Sequence, residues 1–242
     1  NAGNDQEVKR LGKTVINVGI IDDDETKRSQ IISKLEDFVQ GASAEIKERY
    51  EDYSLNPIEL EIRPKIEDVL EEIQEKNIDA LIIDYKLSSY EVEVDYSGVG
   101  FAKETDRKYL DFPVFILTSY EGELYQKEIF DAYKVYEFER YMNDDNERIE
   151  INSKIVEQYL KRKRQIAEWK RQLEELLPRQ GESREIDEKI MDLDTKLEKS
   201  FDGQHAIPKE IKEKLSGDNF ELLLSELDTL LRREQESADD KS

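Results

Sequence analysis

Asn77-Ile78-Asp79-Ala80-Leu81-Ile82-Ile83-Asp84-Tyr85-Lys86-Leu87-Ser88 decides how this chain is read. A short apolar run rich in β-branched residues stops on one acid. That is the pattern of a parallel strand buried on both faces, with a carboxylate at its C-terminal edge. Open α/β sheets carry their chemistry at that edge. Two other runs end in the same way. Val15-Ile16-Asn17-Val18-Gly19-Ile20-Ile21 stops on Asp22-Asp23-Asp24, and Pro113-Val114-Phe115-Ile116-Leu117 stops on Thr118-Ser119.

The flanking segments complete a strand–helix alternation. A first strand over 14–21 is followed by a helix opened by Asp22-Asp23-Asp24-Glu25-Thr26, with Ile31, Ile32, Leu35, Phe38 and Val39 on one face. The pattern blurs over 41–56, where Ile46 and Tyr50 suggest a helix that continues or restarts, and Asn56-Pro57 is a break. Ile58 to Ile62 alternates as an edge strand. Pro64 then starts a helix with Ile66, Val69, Leu70 and Ile73 inward. After the deciding strand come a polar loop over 88–98, a helix over 101–110, the strand 113–117, a helix over 121–133 and a weak strand over 135–140. Five repeats with short loops predict a five-stranded parallel doubly wound sheet with right-handed crossovers.

The character changes near 145. Ile151, Ile155, Tyr159, Leu160, Ile166, Trp169, Leu173, Leu176 and Leu177 mark a long helix that ends at Pro178, with Trp169 expected in packing. Ile186, Ile190, Leu193 and Leu197 form an a/d-like stripe, and further helices follow Pro208 and span Phe220 to Leu231. An α/β domain over 14–145 and a helical region over 146–242, a coiled-coil-like hairpin or small bundle, are the expected divisions.

Composition narrows the possible functions. The chain has 242 residues, of which 40% are charged, and no cysteine, which excludes disulfides and thiolate metal sites. No run is long and apolar enough to span a membrane, and no signal-like apolar segment opens the chain, so a cytoplasmic protein is expected. Residues 1–150 hold 19 Lys/Arg against 37 Asp/Glu, a net of −18 within the total of −22. Such a domain repels nucleic acid and anionic membrane. In the remainder, Lys161-Arg162-Lys163-Arg164 is one basic turn, read as the solvated side of a helix, and no helix-turn-helix pattern follows it. The lone histidine, His205, falls in a connection.

If the first and third strands are neighbours, Asp22, Asp23 and Asp84 converge, since parallel strands lie about 5 Å apart. Clustered carboxylates need a cation, and an all-oxygen site of this kind suits Mg2+. Thr118 offers a hydroxyl at the same edge. A metal, a carboxylate nucleophile and a hydroxyl are the equipment for phosphoryl transfer onto an aspartate. A single acid at a strand end is more often a helix cap.

With these residues in view, residues 14–145 resemble the receiver domain of two-component response regulators. The resemblance is carried by Ile20-Ile21-Asp22-Asp23-Asp24, Leu81-Ile82-Ile83-Asp84, Ser97-Gly98 and Phe115-Ile116-Leu117-Thr118-Ser119. It implies a flavodoxin-like fold, Asp84 as phosphoryl acceptor, and Mg2+ held by Asp22, Asp23, Asp84 and the backbone carbonyl of Lys86. It implies that Thr118 moves onto the phosphoryl group, and that the donor is a sensor histidine kinase or phosphotransfer protein. The chemistry then stops at self-phosphorylation and dephosphorylation. Two features depart from the family. Its fifth-strand Lys-Pro is absent, and Arg140 stands about where that lysine is expected, counting from Thr118. Ser88 replaces the usual proline in a longer loop. Tyr136 and Phe138 are the candidates for the aromatic that reports movement of Thr118.

Two alternatives stand beside it. A pseudo-receiver would switch by protein contact without phosphorylation. A haloacid-dehalogenase-like phosphatase would use Asp22 as nucleophile and Asp24 as acid/base, with Thr118 or Ser119 and the pair Asp144-Asp145, but it would leave Asp84 idle. The Phe220–Leu231 stripe needs a cover, so a homodimer or a protein partner of the tail is expected.

Overall fold

The computed structural model describes residues 12–87, 94, 96–119 and 135–201. The strands are β1 (Thr14–Ile21), β2 (Tyr53–Glu59), β3 (Ala80–Ile83), β4 (Val114–Thr118) and β5 (Val135–Glu137). They form one parallel sheet in the order β2-β1-β3-β4-β5. This is the expected flavodoxin-like α/β arrangement, followed by helices. The order reverses between β1 and β3, and there the C-terminal strand ends open a crevice.

The helices are α1 (Glu25–Glu36), α2 (Ala44–Arg49), α3 (Ile66–Glu75), α4 (Gly98–Lys108), α5 (Phe138–Asn143), α6 (Asp145–Leu176) and α7 (Arg184–Phe201). α1, α3, α4 and the start of α6 bury both faces of the sheet. On one face Ile16, Val18, Ile20, Ala80, Ile82, Phe115 and Leu117 pack with Ile31 and Leu35 of α1 and with Ile151, Ile155 and Val156 of α6. On the other, Leu81, Ile83, Val114 and Ile116 pack with Val69, Leu70 and Ile73 of α3 and with Phe101 and Ala102 of α4. Every residue of β3 is therefore buried. That is why the deciding stretch reads as a continuous apolar run rather than as an alternation.

Several boundaries differ from expectation, each for a local reason. β2 begins at Tyr53 and carries Asn56-Pro57 inside it, with Pro57 in register with Val18. An edge strand tolerates a residue without a ladder donor, so the expected break is not one. Between α1 and β2 the short helix α2 restarts after Gly41, at φ 83°, and its Ser43 hydroxyl accepts from the Ile46 N–H at 3.3 Å. α4 starts at Gly98 because the Ser97 hydroxyl accepts from the Gly100 N–H at 3.1 Å. β5 stops at Glu137 and runs straight into α5, so the expected strand over 135–140 is shorter by half. α6 begins before Ile151, because Asp144 Oδ1 caps it by accepting from the Asn146 and Glu147 N–H groups.

Two compact units divide the chain at Gln165 and Ile166, inside α6. This differs from the expected boundary near 145, because Ile151, Ile155 and Val156 belong to the sheet's core. The basic turn also lies inside the first unit. Arg162 lies 5.0 Å from the Phe112 ring centroid, and Lys163 lies 3.8 Å from Asp79. In the second unit Ile190, Leu193 and Leu197 of the stripe are buried and Ile186 is half-buried, and Trp169 is buried as expected. The helix expected over 121–133, most of the 88–98 loop, His205, the helix after Pro208 and the Phe220–Leu231 stripe lie outside the described residues. Among the described residues no helix is long and apolar enough to cross a membrane.

Polar contacts fasten the start of α6. Buried Asn152 donates to the Lys34 carbonyl at 3.2 Å and accepts from the Tyr141 hydroxyl at 3.1 Å. Arg148, also buried, donates to the Gln40 carbonyl at 3.2 Å and pairs with Asp145 at 2.7 Å. Asn152→Ala leaves one buried hydroxyl and one carbonyl without a partner. It is expected to lower unfolding stability by about 2–4 kcal/mol, read by urea denaturation.

Candidate functional site

Adjacency of β1 and β3 brings the acids together. Ile21 pairs with Ile83, and the Asp84 N–H continues the ladder to the Ile21 carbonyl at 2.8 Å. Asp22 and Asp84 thus leave neighbouring strands side by side, 2% and 3% exposed. Asp23 is half-buried beside them, and one carboxylate oxygen from each of the three lies within 4.8 Å of the others.

One oxygen of Asp22 is committed and the other is not. Oδ1 accepts from the Asp24 N–H at 2.8 Å, while Oδ2 is buried with no hydrogen-bond partner. Asp84 is built alike. The Tyr85 and Lys86 N–H groups donate to its carboxylate, and Oδ1 is buried without a partner. Buried carboxylate oxygens without donors are costly. Two such oxygens, with Asp23 at hand, make an all-oxygen set able to hold a hard cation.

Backbone clamps fix both acids. Arg28 donates to the Asp22 carbonyl at 2.7 Å and reaches Glu59 at 3.2 Å. The Gly98 N–H donates to the Tyr85 carbonyl at 2.9 Å, and a Cβ on Gly98 would stand 1.9 Å from the Asp84 carbonyl oxygen. Only glycine allows the start of α4 to pass so close. Thr118 ends β4, fully buried at the same edge.

The electrostatics follow from burial. Asp22 is pushed up from 3.8 to about 7, by burial and then by the neighbouring Asp84 charge, against the Asp24 N–H and Lys27. Asp84 is pushed up from 3.8 to about 6 by burial, against Lys27 and the Tyr85 N–H, with Asp23 adding to the rise.

The structure thus gathers Asp22, Asp23 and Asp84. Lys86 is the second residue past Asp84, its side chain exposed and its N–H on the Asp84 carboxylate. Arg140 does not join them. It is an exposed residue of α5, and its guanidinium donates to Glu147 at 2.9 Å. Counting from Thr118 misplaced it, because β5 ends three residues earlier. The residue in register with Thr118 is Glu137, an acid. Sequence reading missed Lys27, in the first turn of α1. Its ammonium acts on both Asp22 and Asp84 and lies 5.4 Å from the Phe138 ring centroid. Its signal was its place just after the Asp24 cap, three residues along a helix that begins at the crevice. Tyr136 stacks on Phe115, with ring centroids 6.1 Å apart, and Lys154 lies over it.

Of the acids the phosphatase reading uses, Asp24, Asp144 and Asp145 are engaged elsewhere, while Asp22 is not. Asp24 Oδ1 caps α1 by accepting from the Thr26 and Lys27 N–H groups at 2.8 and 3.2 Å. Asp144 caps α6 and Asp145 pairs with Arg148. No family model, curated protein or solved structure matches this chain.

Two outcomes follow from this geometry. Asp22 and Asp84 titrate at 3.8 in the unfolded chain and near 7 and 6 in the fold. The fold therefore binds more protons between these values, and without divalent cation its stability falls as pH rises through that window. Asp84→Asn is expected to flatten part of this slope and to raise stability near pH 8 by on the order of 2–3 kcal/mol, read by thermal and urea unfolding. Gly98→Ala is expected to cost about 2 kcal/mol or more, seen as a melting point several degrees lower.

Proposed function

We propose that this chain is a receiver that accepts a phosphoryl group on Asp84 and signals through its helical C-terminal region. The observation that carries the reading is the pair of buried, donor-free oxygens on Asp22 and Asp84, side by side at neighbouring strand ends.

Asp22, Asp23 and Asp84 would hold the cation, with the Lys86 carbonyl as a further ligand by the family resemblance. The all-oxygen set favours Mg2+, which supplies neutralisation of charge as phosphate approaches. The protein's own groups do the rest. The Tyr85 and Lys86 N–H groups orient the Asp84 carboxylate. One of its oxygens forms the new P–O bond as the donor's bond to phosphorus breaks. A phosphohistidine donor leaves as imidazole and takes up a proton, and acetyl phosphate leaves as acetate. Thr118 lies at the end of the neighbouring strand, suited to donate to a phosphoryl oxygen. The partner implied is a sensor histidine kinase or phosphotransfer protein. The C-terminal helices are assigned to a protein partner or a second copy of the chain.

A second reading rests on Glu137. An acid in register with Thr118 opposes an incoming phosphoryl group, as in a receiver that switches by contact alone. Acetyl phosphate and Mg2+ separate the two. Intact-protein mass spectrometry is expected to find one phosphoryl adduct, stable in acid, labile in alkali and absent from Asp84→Asn. A wild type that binds Mg2+ but takes no adduct selects the contact-only receiver. A wild type that binds no Mg2+ removes the phosphoryl-acceptor reading.

A further inference from the structure

We propose that Lys27, presented from the first turn of α1, is the cation that contacts the phosphoryl group on Asp84. The inference rests on the receiver reading and gives Lys27 a role that the sequence alone gave to Arg140.

Phosphorylation turns the Asp84 carboxylate into an acyl phosphate carrying about two negative charges, beside the remaining carboxylates of Asp22 and Asp23. A preorganised cation is therefore required beside the metal. Among the described residues, the flank of the crevice formed by β5 does not supply it. Its residue in register with Thr118 is Glu137, and Arg140 is exposed and turned to Glu147.

The opposite flank does. Asp24 fixes the first turn of α1, and one of the N–H groups it holds is that of Lys27. Helical side chains lean toward the helix N-terminus, which here means toward the C-terminal edge of the sheet. The Lys27 ammonium reaches to 5.4 Å from the ring of Phe138, the first residue past β5. It therefore stands on the β5 side of the crevice although it is carried from the β1 side. The aromatic face holds it without neutralising it, as a carboxylate partner would. Its charge bears on both Asp22 and Asp84, so it is within electrostatic range of the acceptor. Lysine also suits the place, since an ammonium offers three donors around one point charge where a guanidinium would need a planar face.

A lysine that only relieves repulsion among the acids behaves differently from one that binds phosphate, and the two separate by sign. Wild type, Lys27→Met, Lys27→Arg and Asp84→Asn are compared for Mg2+ affinity by calorimetry, for beryllofluoride affinity at saturating Mg2+, and for the acetyl phosphate reaction. Lys27→Met is expected to bind Mg2+ as tightly as wild type or several-fold tighter, because a competing cation is gone. It is expected to bind beryllofluoride roughly 10- to 100-fold more weakly and to be phosphorylated more slowly by a similar factor, the cost of one charge-assisted contact. Lys27→Arg is expected to recover part of both losses. Unchanged beryllofluoride affinity in Lys27→Met overturns the inference while leaving the receiver reading in place. So does a loss of Mg2+ affinity, beryllofluoride affinity and melting temperature together, which marks a structural residue. A wild type that binds neither beryllofluoride nor a phosphoryl group overturns the receiver reading, and this assignment with it.

Discussion

Two carboxylates buried side by side at the ends of neighbouring strands govern this structure. A parallel sheet whose order reverses at β1 and β3 sets Asp22 beside Asp84, and no other pairing of these strands would. Each acid is gripped by backbone N–H groups on one side and left empty on the other. The fold thereby holds the acids where repulsion and burial disfavour their charged forms. Binding a cation relieves that cost, which couples occupancy of the site to the stability of the domain.

The surroundings are arranged to withstand it. Arg28 ties the Asp22 carbonyl to the edge strand through Glu59, and Gly98 lets α4 press against the Asp84 carbonyl. α1 begins at the acids with its Asp24 cap and its Lys27, and near its other end the Lys34 carbonyl accepts from Asn152 of α6. One helix therefore touches both the crevice and the first turns of the helix that leads out of the α/β unit. A change at the acids has a short, packed route to α6 through α1, with Phe138 and Tyr141 in the same core.

Much of this is legible in the sequence. β1, β3 and β4 stand out because burial on both faces demands unbroken apolar runs, and the acids that stop them mark the chemical edge. The stripe on α7 is legible for the same reason, as a period imposed by burial. What is not legible depends on tertiary placement. Pro57 reads as a break until β2 is known to be the outermost strand. Arg140 reads as an edge residue until β5 is seen to stop at Glu137 and coil into α5. Lys27 looks like any lysine on an exposed helix. The role proposed for it depends on the distance from α1 to Phe138, a contact between residues far apart in the chain.

Isothermal titration of wild type with Mg2+ near pH 6, in buffers of different ionisation enthalpy, addresses the carboxylate pair most directly. The expected result is that Mg2+ binds and protons are released on binding, because Asp22 and Asp84 are held partly protonated there and must ionise. The proton release should fade above about pH 8, where both are already charged, and binding should weaken sharply in Asp22→Asn. Binding without proton release, or no binding at all, would mean that these acids are not the cation centre on which the proposed chemistry depends.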